Sequence, residues 1–186
     1  MMPNGFVDWA TIVGTALAVL LAIGWFLSYT AIRLDRLHYR LVGTAAALDA
    51  QLVRRAEATL ETGLGADLDR ATATLLIGAA GQALDEPGDW TPERDRAESE
   101  LTEVLRAADE PLTVREAEPD AEEARELIER LRGTAVRVRF ARQFHNDAVH
   151  ETRELHSRRH VRWFRLAGHT DPPAPVEFDD NWPVQP

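Results

Sequence analysis

The chain has 186 residues, a formal net charge of −10 and no cysteine. The length fits one modest soluble domain with an additional anchor. Because cysteine is missing, a disulfide framework, a thiolate zinc site and a thiol nucleophile are excluded. The acidic balance argues against general nucleic-acid binding, which needs a basic surface to contact phosphates.

The first predicted element is a membrane-spanning helix over residues 9–29. No charge lies between Asp8 and Arg33, and the segment from Trp9 to Tyr29 is almost continuously apolar. About 20 helical residues cover a hydrocarbon core of ~30 Å, and aromatic rings such as Trp25 are typical of its interfaces. A cleaved signal peptide would begin with basic residues and have a shorter apolar region. The sequence therefore predicts a retained anchor.

The orientation of the anchor follows from its flanking charges. Arg33, Arg36 and Arg40 follow the span, whereas residues 1–8 carry only Asp8. The positive-inside rule then predicts the orientation of this single-pass protein, which is expected in the plasma (inner) membrane. Residues 1–8 are expected outside, and everything after Tyr29 in the cytoplasm.

Small side chains recur at every fourth position of the predicted span. Such a stripe would let a second membrane helix approach closely, although small residues are also common in any alanine-rich membrane helix. The stripe consists of Ala10, Gly14, Ala18 and Ala22.

Beyond the membrane the pattern stays helical. Leucines at three- and four-residue spacing predict that the anchor helix continues without a break until Gly63 and Gly65. A second helix is predicted over 66–84. A third begins with Thr91 as N-cap and proline at the first helical position, and runs to about Ala108. The residues bracketed by Pro111 and Pro119 are predicted to form a polar loop.

The fourth predicted helix begins near Pro119 or Asp120 and ends near Ala167, with a stripe of apolar residues close to heptad spacing. This stripe comprises Leu127, Leu131, Val138, Ala141, Ala148 and Leu155. Leu48 and Leu52 on the first helix are expected to face Phe144 and Ala148 on the fourth. No stretch alternates with period two over enough residues to predict a sheet.

These elements predict an all-α fold, in which the transmembrane helix continues into an elongated antiparallel helical bundle. The bundle is assigned to residues 30–168, and a Pro-rich acidic tail to residues 169–186. Within the tail, the run Pro172-Pro173-Ala174-Pro175 predicts an extended linker that holds a short acidic-aromatic end.

Four short segments, in a fixed order along the chain, resemble the LemA family of membrane proteins. They are Leu48-Asp49-Ala50-Gln51-Leu52-Val53-Arg54-Arg55, Ala97-Glu98-Ser99-Glu100-Leu101-Thr102, Ala141-Arg142-Gln143-Phe144-His145-Asn146-Asp147-Ala148-Val149, and Leu166-Ala167-Gly168-His169 with Glu177-Phe178. The chain departs from the family where His145 replaces the usual tyrosine and where Ala45 replaces a common tryptophan. The resemblance implies a divergent member with an N-out, C-in anchor and a bundle of long helices. It implies no enzymatic activity.

The adjacent arginines of the first segment carry a structural hypothesis. Neighbouring helical residues point about 100° apart, so Arg54 and Arg55 cannot serve one flat partner equally. Either both are solvated, or one reaches inward to a carboxylate on the facing helix, with Asp147 the best candidate. An inward pair would fix the register of two repetitive alanine-leucine stripes.

Catalytic and metal-binding patterns are weak. His156 and His160 have the spacing of a two-ligand helix face, but arginines surround them and no glutamate follows the first histidine. His145 is expected to be a core polar residue paired with Asn146 or Asp49. No glycine loop with a following lysine exists to hold a phosphate. The sequence therefore predicts a non-enzymatic protein with no metal, no cofactor and no small-molecule substrate.

Two functional classes remain open. The first is a membrane-tethered scaffold whose helices bind another protein or a second copy. The second is a lipid-surface sensor, in which the end of the last helix docks on anionic headgroups. The residues proposed for that docking are Arg158, Arg159, Arg162, Trp163 and Arg165.

Overall fold

The computed structural model describes residues 4–85, 90–157 and 173–182. These residues form five helices and no strand. The helices are α1 (Asn4–Gly65), α2 (Arg70–Asp85), α3 (Pro92–Ala107), α4 (Asp109–Glu116) and α5 (Glu122–Ser157). The predicted all-α class is confirmed, and the apolar N-terminal helix continues into a packed helical bundle.

Helix α1 is 62 residues long and has no break between its apolar start and its end in the bundle. Its most apolar 18-residue window has a mean hydropathy of 2.2, and none of that window is buried. Among the described residues, this is the one helix long and apolar enough to cross a membrane.

The turn between α1 and α2 is built by one glycine and two aspartates. A Cβ placed on Gly63 would lie 3.0 Å from Ile77 Cγ1, so this glycine lets the two helices approach closely. Asp67 takes the left-handed conformation with φ of 54°, which a short polar side chain tolerates. Asp69 Oδ1 accepts hydrogen bonds from the backbone N–H groups of Ala71 and Thr72 at 2.9 and 3.1 Å and so caps α2.

Helix α3 begins as predicted. Thr91 is the N-cap, and its hydroxyl oxygen accepts a hydrogen bond from the backbone N–H of Arg94 at 3.2 Å. The polar loop predicted between Pro111 and Pro119 is wrong, because helix α4 occupies residues 109–116. Pro111 lies in the first turn of α4, where a backbone N–H has no partner within the helix, so proline is tolerated there.

The chain divides into two compact units, Met1–Arg40 with His150–Pro173 and Leu41–Val149 with Ala174–Pro186. In the first unit, Leu37 and Leu155 are buried. In the same unit, Arg40 Nη1 donates to Glu151 Oε2 at 2.6 Å.

The second unit holds the main hydrophobic core, to which all five helices contribute. Trp182 of the C-terminal tail is also buried in it, with 1% exposure. The predicted apolar stripe of α5 is confirmed, since its members are buried or partly buried: Leu127, Leu131, Val138, Ala141, Ala148 and Leu155.

The predicted packing of Phe144 against Leu48 and Leu52 is wrong. Leu48 and Leu52 are buried as expected, but Phe144 is 59% exposed. At about 100° per residue, Phe144 lies about 120° around α5 from the buried Val138. The leucines pack instead against Val138 and against Phe178 of the tail, which supplies the aromatic ring that the sequence assigned to Phe144.

Candidate functional site

Arg55 is the centre of a buried polar cluster between α1 and α3. Its side chain is 2% exposed, as is that of its partner Glu98. Arg55 Nη2 donates to Glu98 Oε2 at 2.6 Å and to the Glu98 carbonyl oxygen at 3.2 Å, and Nη1 donates to Thr102 Oγ1 at 3.1 Å. The carboxylate therefore neutralises the guanidinium inside the core, as a buried charge requires.

A second buried arginine ties the same two helices together. Arg94 on α3 forms an ion pair with Asp49 on α1, and the Arg94 side chain is 2% exposed. Its guanidinium carbon also lies 4.7 Å from the centroid of the Trp90 ring, in a cation–π contact. Each helix thus sends an arginine to a carboxylate of the other.

The polar residues of α3 follow a four-residue repeat. Arg94, Glu98 and Thr102 occupy successive turns of one helix face, and all three are buried beside Leu101 and Leu105. The sequence analysis used residues 97–102 only for the family resemblance, and it missed both Arg94 and Glu98 as partners of residues on α1. The regular spacing of charged residues on a face that also carries leucines is the signal that indicates them.

Asp147 is not the partner of either arginine. Its side chain is exposed, as is that of Arg54, and the carboxylate that Arg55 meets belongs to Glu98. At about 100° per residue, Asp147 lies about 180° around α5 from the buried Val138 and so points away from the core. The expected inward arginine is present, but the predicted partner is wrong.

The tail lies in a groove of the second unit, formed by helices α3, α4 and α5. Burial alternates along it, with residues 176, 178, 180 and 182 buried and the residues between them exposed. This is the period of an extended chain. We define the tail groove as the six residues that hydrogen-bond to residues 176–182, namely Ser99, Arg106, Asp109, Arg139, Arg142 and Asn146.

The backbone of the tail is held by side chains of the groove. The Asn146 amide donates to the Val176 carbonyl oxygen at 3.1 Å and accepts from the Val176 N–H at 2.9 Å. Arg139 donates to the carbonyl oxygen of Trp182 at 3.1 Å, and Ser99 Oγ accepts from the N–H of Asp179 at 3.1 Å. These bonds fix the register of the tail.

Acidic and aromatic side chains of the tail are bound as well. Arg142 forms a bidentate ion pair with Asp180, in which Nε donates to Oδ2 at 2.7 Å and Nη2 donates to Oδ1 at 2.8 Å. This is the geometry in which arginine binds carboxylate most strongly. Arg106 binds Asp179 at 2.7 Å. Trp182 Nε1 donates to Asp109 Oδ1 at 3.1 Å.

Phe178 connects the tail to the buried arginines. Its ring stacks on Trp90 with centroids 6.2 Å apart and an interplanar angle of 4°. The guanidinium carbons of Arg55 and Arg142 lie 5.8 and 5.6 Å from its centroid. The tail groove and the arginine cluster therefore share one aromatic ring.

His145 is a core polar residue, but its neighbours differ from the expected Asn146 and Asp49. It is 4% exposed. Its Nδ1 lies 3.3 Å from Thr44 Oγ1, and its ring stacks on Trp90 with centroids 6.4 Å apart. Burial lowers the pKa of His145, because the charged imidazolium loses hydration there.

Arginines gather at the downstream end of the candidate span, in the first unit. Arg33, Arg36 and Arg40 line a cavity of about 250 Å³ together with Tyr29 and Glu151. The small-residue stripe Ala10, Gly14, Ala18 and Ala22 is exposed, and no other side chain approaches within 4 Å of a Cβ built on Gly14.

The five residues proposed for lipid docking, Arg158, Arg159, Arg162, Trp163 and Arg165, lie outside the described residues, as does His160 of the paired histidines. Within the part of the chain that the structure describes, no group of three histidine or carboxylate side chains is arranged to hold a metal ion.

Comparison with protein-family models, with curated proteins and with solved structures found no match in any of the three. The fold and the site therefore define a class only, an all-α protein with one long apolar N-terminal helix and a packed bundle that binds its own tail.

Proposed function

We propose that the protein is a membrane-anchored scaffold of the LemA type. In this proposal α1 crosses the bacterial inner membrane once with its N-terminus outside, and the bundle lies in the cytoplasm. The bundle binds other proteins through its helices and carries out no catalysis. The observation that carries the proposal is the uninterrupted course of α1, whose most apolar 18-residue window is unburied and whose later residues enter the core of the bundle.

An exposed aromatic patch on the second unit supports the binding role. Phe140 and Phe144, one turn apart on α5, are 55% and 59% exposed. They line a cavity of about 380 Å³ together with Gly43 and Ala47 of α1. Large exposed apolar patches with a cationic edge, here Arg137, are typical of protein-binding surfaces.

The test compares proteins that copurify with the tagged full-length chain after cross-linking in its native membrane. The Phe140→Ser/Phe144→Ser variant should lose specific partners that the parent retains. Val114→Ser is the matched control, because Val114 is equally exposed at 59% on α4. The same set of partners for all three chains, each folded and membrane-bound, would contradict the scaffold role of this patch.

A second candidate function, docking on anionic lipid, is favoured by the arginine-lined cavity at the end of the span. Guanidinium groups beside Tyr29 suit a phosphate headgroup at the membrane surface. Flotation of residues 31–186 with anionic and neutral vesicles tests it. Selective binding to anionic vesicles that Arg33→Gln/Arg36→Gln/Arg40→Gln abolishes would locate the contact here. Loss only in Arg158→Gln/Arg159→Gln/Arg162→Gln would locate it at the sequence-predicted residues.

A further inference from the structure

We propose that the tail groove is an exchangeable peptide-binding site, and that the tail of a second copy of this chain replaces the chain's own tail in it. The groove would then serve as the homotypic interaction site of the scaffold.

The contacts between tail and groove are those of a bound peptide. Asn146 engages both backbone groups of Val176, and Arg139 and Ser99 bind the backbone of Trp182 and Asp179. Side-chain bonds to an extended backbone specify register without any covalent link between the two partners. The chain has no cysteine, so no disulfide ties the tail to its groove.

Charge and shape make the groove selective for this segment. Three arginines of the groove meet an acidic tail, and Arg142 pairs with Asp180, whose side chain is only 8% exposed. The Phe178 ring stacks on Trp90, and the Trp182 indole N–H donates a hydrogen bond to Asp109. The segment that this groove fits is therefore an aromatic residue, two acids, one further residue and a tryptophan, as in Phe178-Asp179-Asp180-Asn181-Trp182.

A second copy is the occupant that these contacts fit. Exchanging identical tails between two chains restores every groove contact, which makes domain swapping a low-cost route to a dimer. The chain's own tail competes for the groove at an effective concentration on the order of millimolar, because it is tethered. The share of grooves that hold a foreign tail therefore depends on how the concentration of chains compares with that value. Crowding of chains in a membrane would favour exchange, and this step rests on the proposed anchor.

Cysteine cross-linking between two full-length chains tests the exchange. One tagged chain carries Ser99→Cys in the groove, and a differently tagged chain carries Asp179→Cys in the tail. Both are mixed in liposomes and treated with a short bis-maleimide. We expect a cross-linked heterodimer whose yield rises about tenfold for each tenfold rise in protein density, while density stays below the effective concentration of the chain's own tail.

A charge reversal gives the matched control. Arg142→Asp on the groove chain should abolish the heterodimer, and Asp180→Arg on the tail chain should restore it. Arg153→Asp on the groove chain should have no effect, because Arg153 is an exposed α5 arginine outside both the tail groove and the aromatic patch. The double variant Ser99→Cys/Asp179→Cys, diluted in detergent, should cross-link within one chain.

Two results would overturn the proposal. One is a within-chain cross-link in the double variant with no heterodimer at any density. The other is a yield of cross-linked heterodimer that Arg142→Asp leaves unchanged. If the chain fails to float with liposomes, the anchor is wrong, and the same cross-linking at rising concentration in solution still decides the exchange.

Discussion

Arg55 is a charged side chain buried in the core as one member of an ion pair. Both members of its pair with Glu98 are 2% exposed, so removal of one leaves an unpaired charge in a medium of low polarity. Arg55→Ala should lower the free energy of unfolding by about 3–5 kcal/mol, measured by chemical denaturation. Arg54→Ala, at the exposed neighbouring position, should change it by less than about 0.5 kcal/mol. Equal losses for both variants would contradict the buried pair.

Gly63 and Gly78 give a second test at the scale of residues, because alanine has opposite effects at the two sites. A Cβ on Gly63 would lie 3.0 Å from Ile77 Cγ1 and 3.3 Å from a backbone oxygen, whereas nothing lies within 4 Å of a Cβ on Gly78. Gly63→Ala should therefore destabilise by about 1–3 kcal/mol. Gly78→Ala should stabilise by about 0.5–1 kcal/mol through helix propensity. Thermal melts that shift in the same direction would refute the close approach of α1 and α2.

His145 predicts a pH dependence of stability. Burial depresses its pKa in the folded chain, so below its ordinary value of about 6.5 the unfolded chain binds more protons than the folded one. Its stabilising contribution is present above that value and is lost as the pH falls through the folded pKa. The free energy of unfolding should fall between pH 7 and pH 5, and His145→Gln should flatten this slope. An unchanged slope in the variant would assign the titration to another group.

At the scale of elements, the tail acts as part of the bundle core. Phe178 is 4% exposed and packs with Leu48 and Leu52. Phe178→Ala should lower the free energy of unfolding by about 3–5 kcal/mol. Phe144→Ala removes an equally large ring from a site that is 59% exposed and should cost less than about 0.5 kcal/mol. Denaturation curves that rank the two variants the other way would restore the sequence-based register.

Helices α1, α2, α3 and α5 were predictable, whereas helix α4 and the packing of the tail were not. Apolar spacing on α5 marks its buried face, and Thr91 with Pro92 marks the start of α3, because these signals act locally along one element. The tail alternates buried and exposed residues over 176–182, but the buried position at Asp180 is acidic. That carboxylate becomes a core residue only because Arg142, distant in sequence, lies opposite it. The Arg55–Glu98 pair was missed for the same reason.

At the scale of the whole molecule, the arrangement of charges around α1 predicts its topology. Arg33, Arg36 and Arg40 follow the apolar segment, and Asp8 is the charged side chain among residues 1–8. Positive residues resist translocation across the bacterial inner membrane. A fluorescent reporter fused after Pro186 should therefore be active in the cytoplasm, whereas a phosphatase that works only in the periplasm should be silent at the same site.

A variant in which the positive charges are moved to the other flank of the apolar segment tests this prediction directly. Asp8→Arg combined with Arg33→Gln, Arg36→Gln and Arg40→Gln moves the positive bias to the other end of the span, and it should raise phosphatase activity by inverting part of the population. Arg130→Gln/Arg137→Gln is the matched control, since it removes two exposed arginines far along the chain from the span and should leave the topology unchanged. Periplasmic phosphatase activity in the parent fusion would place the bundle and its tail groove outside the cytoplasm, and with them any partner of the proposed scaffold.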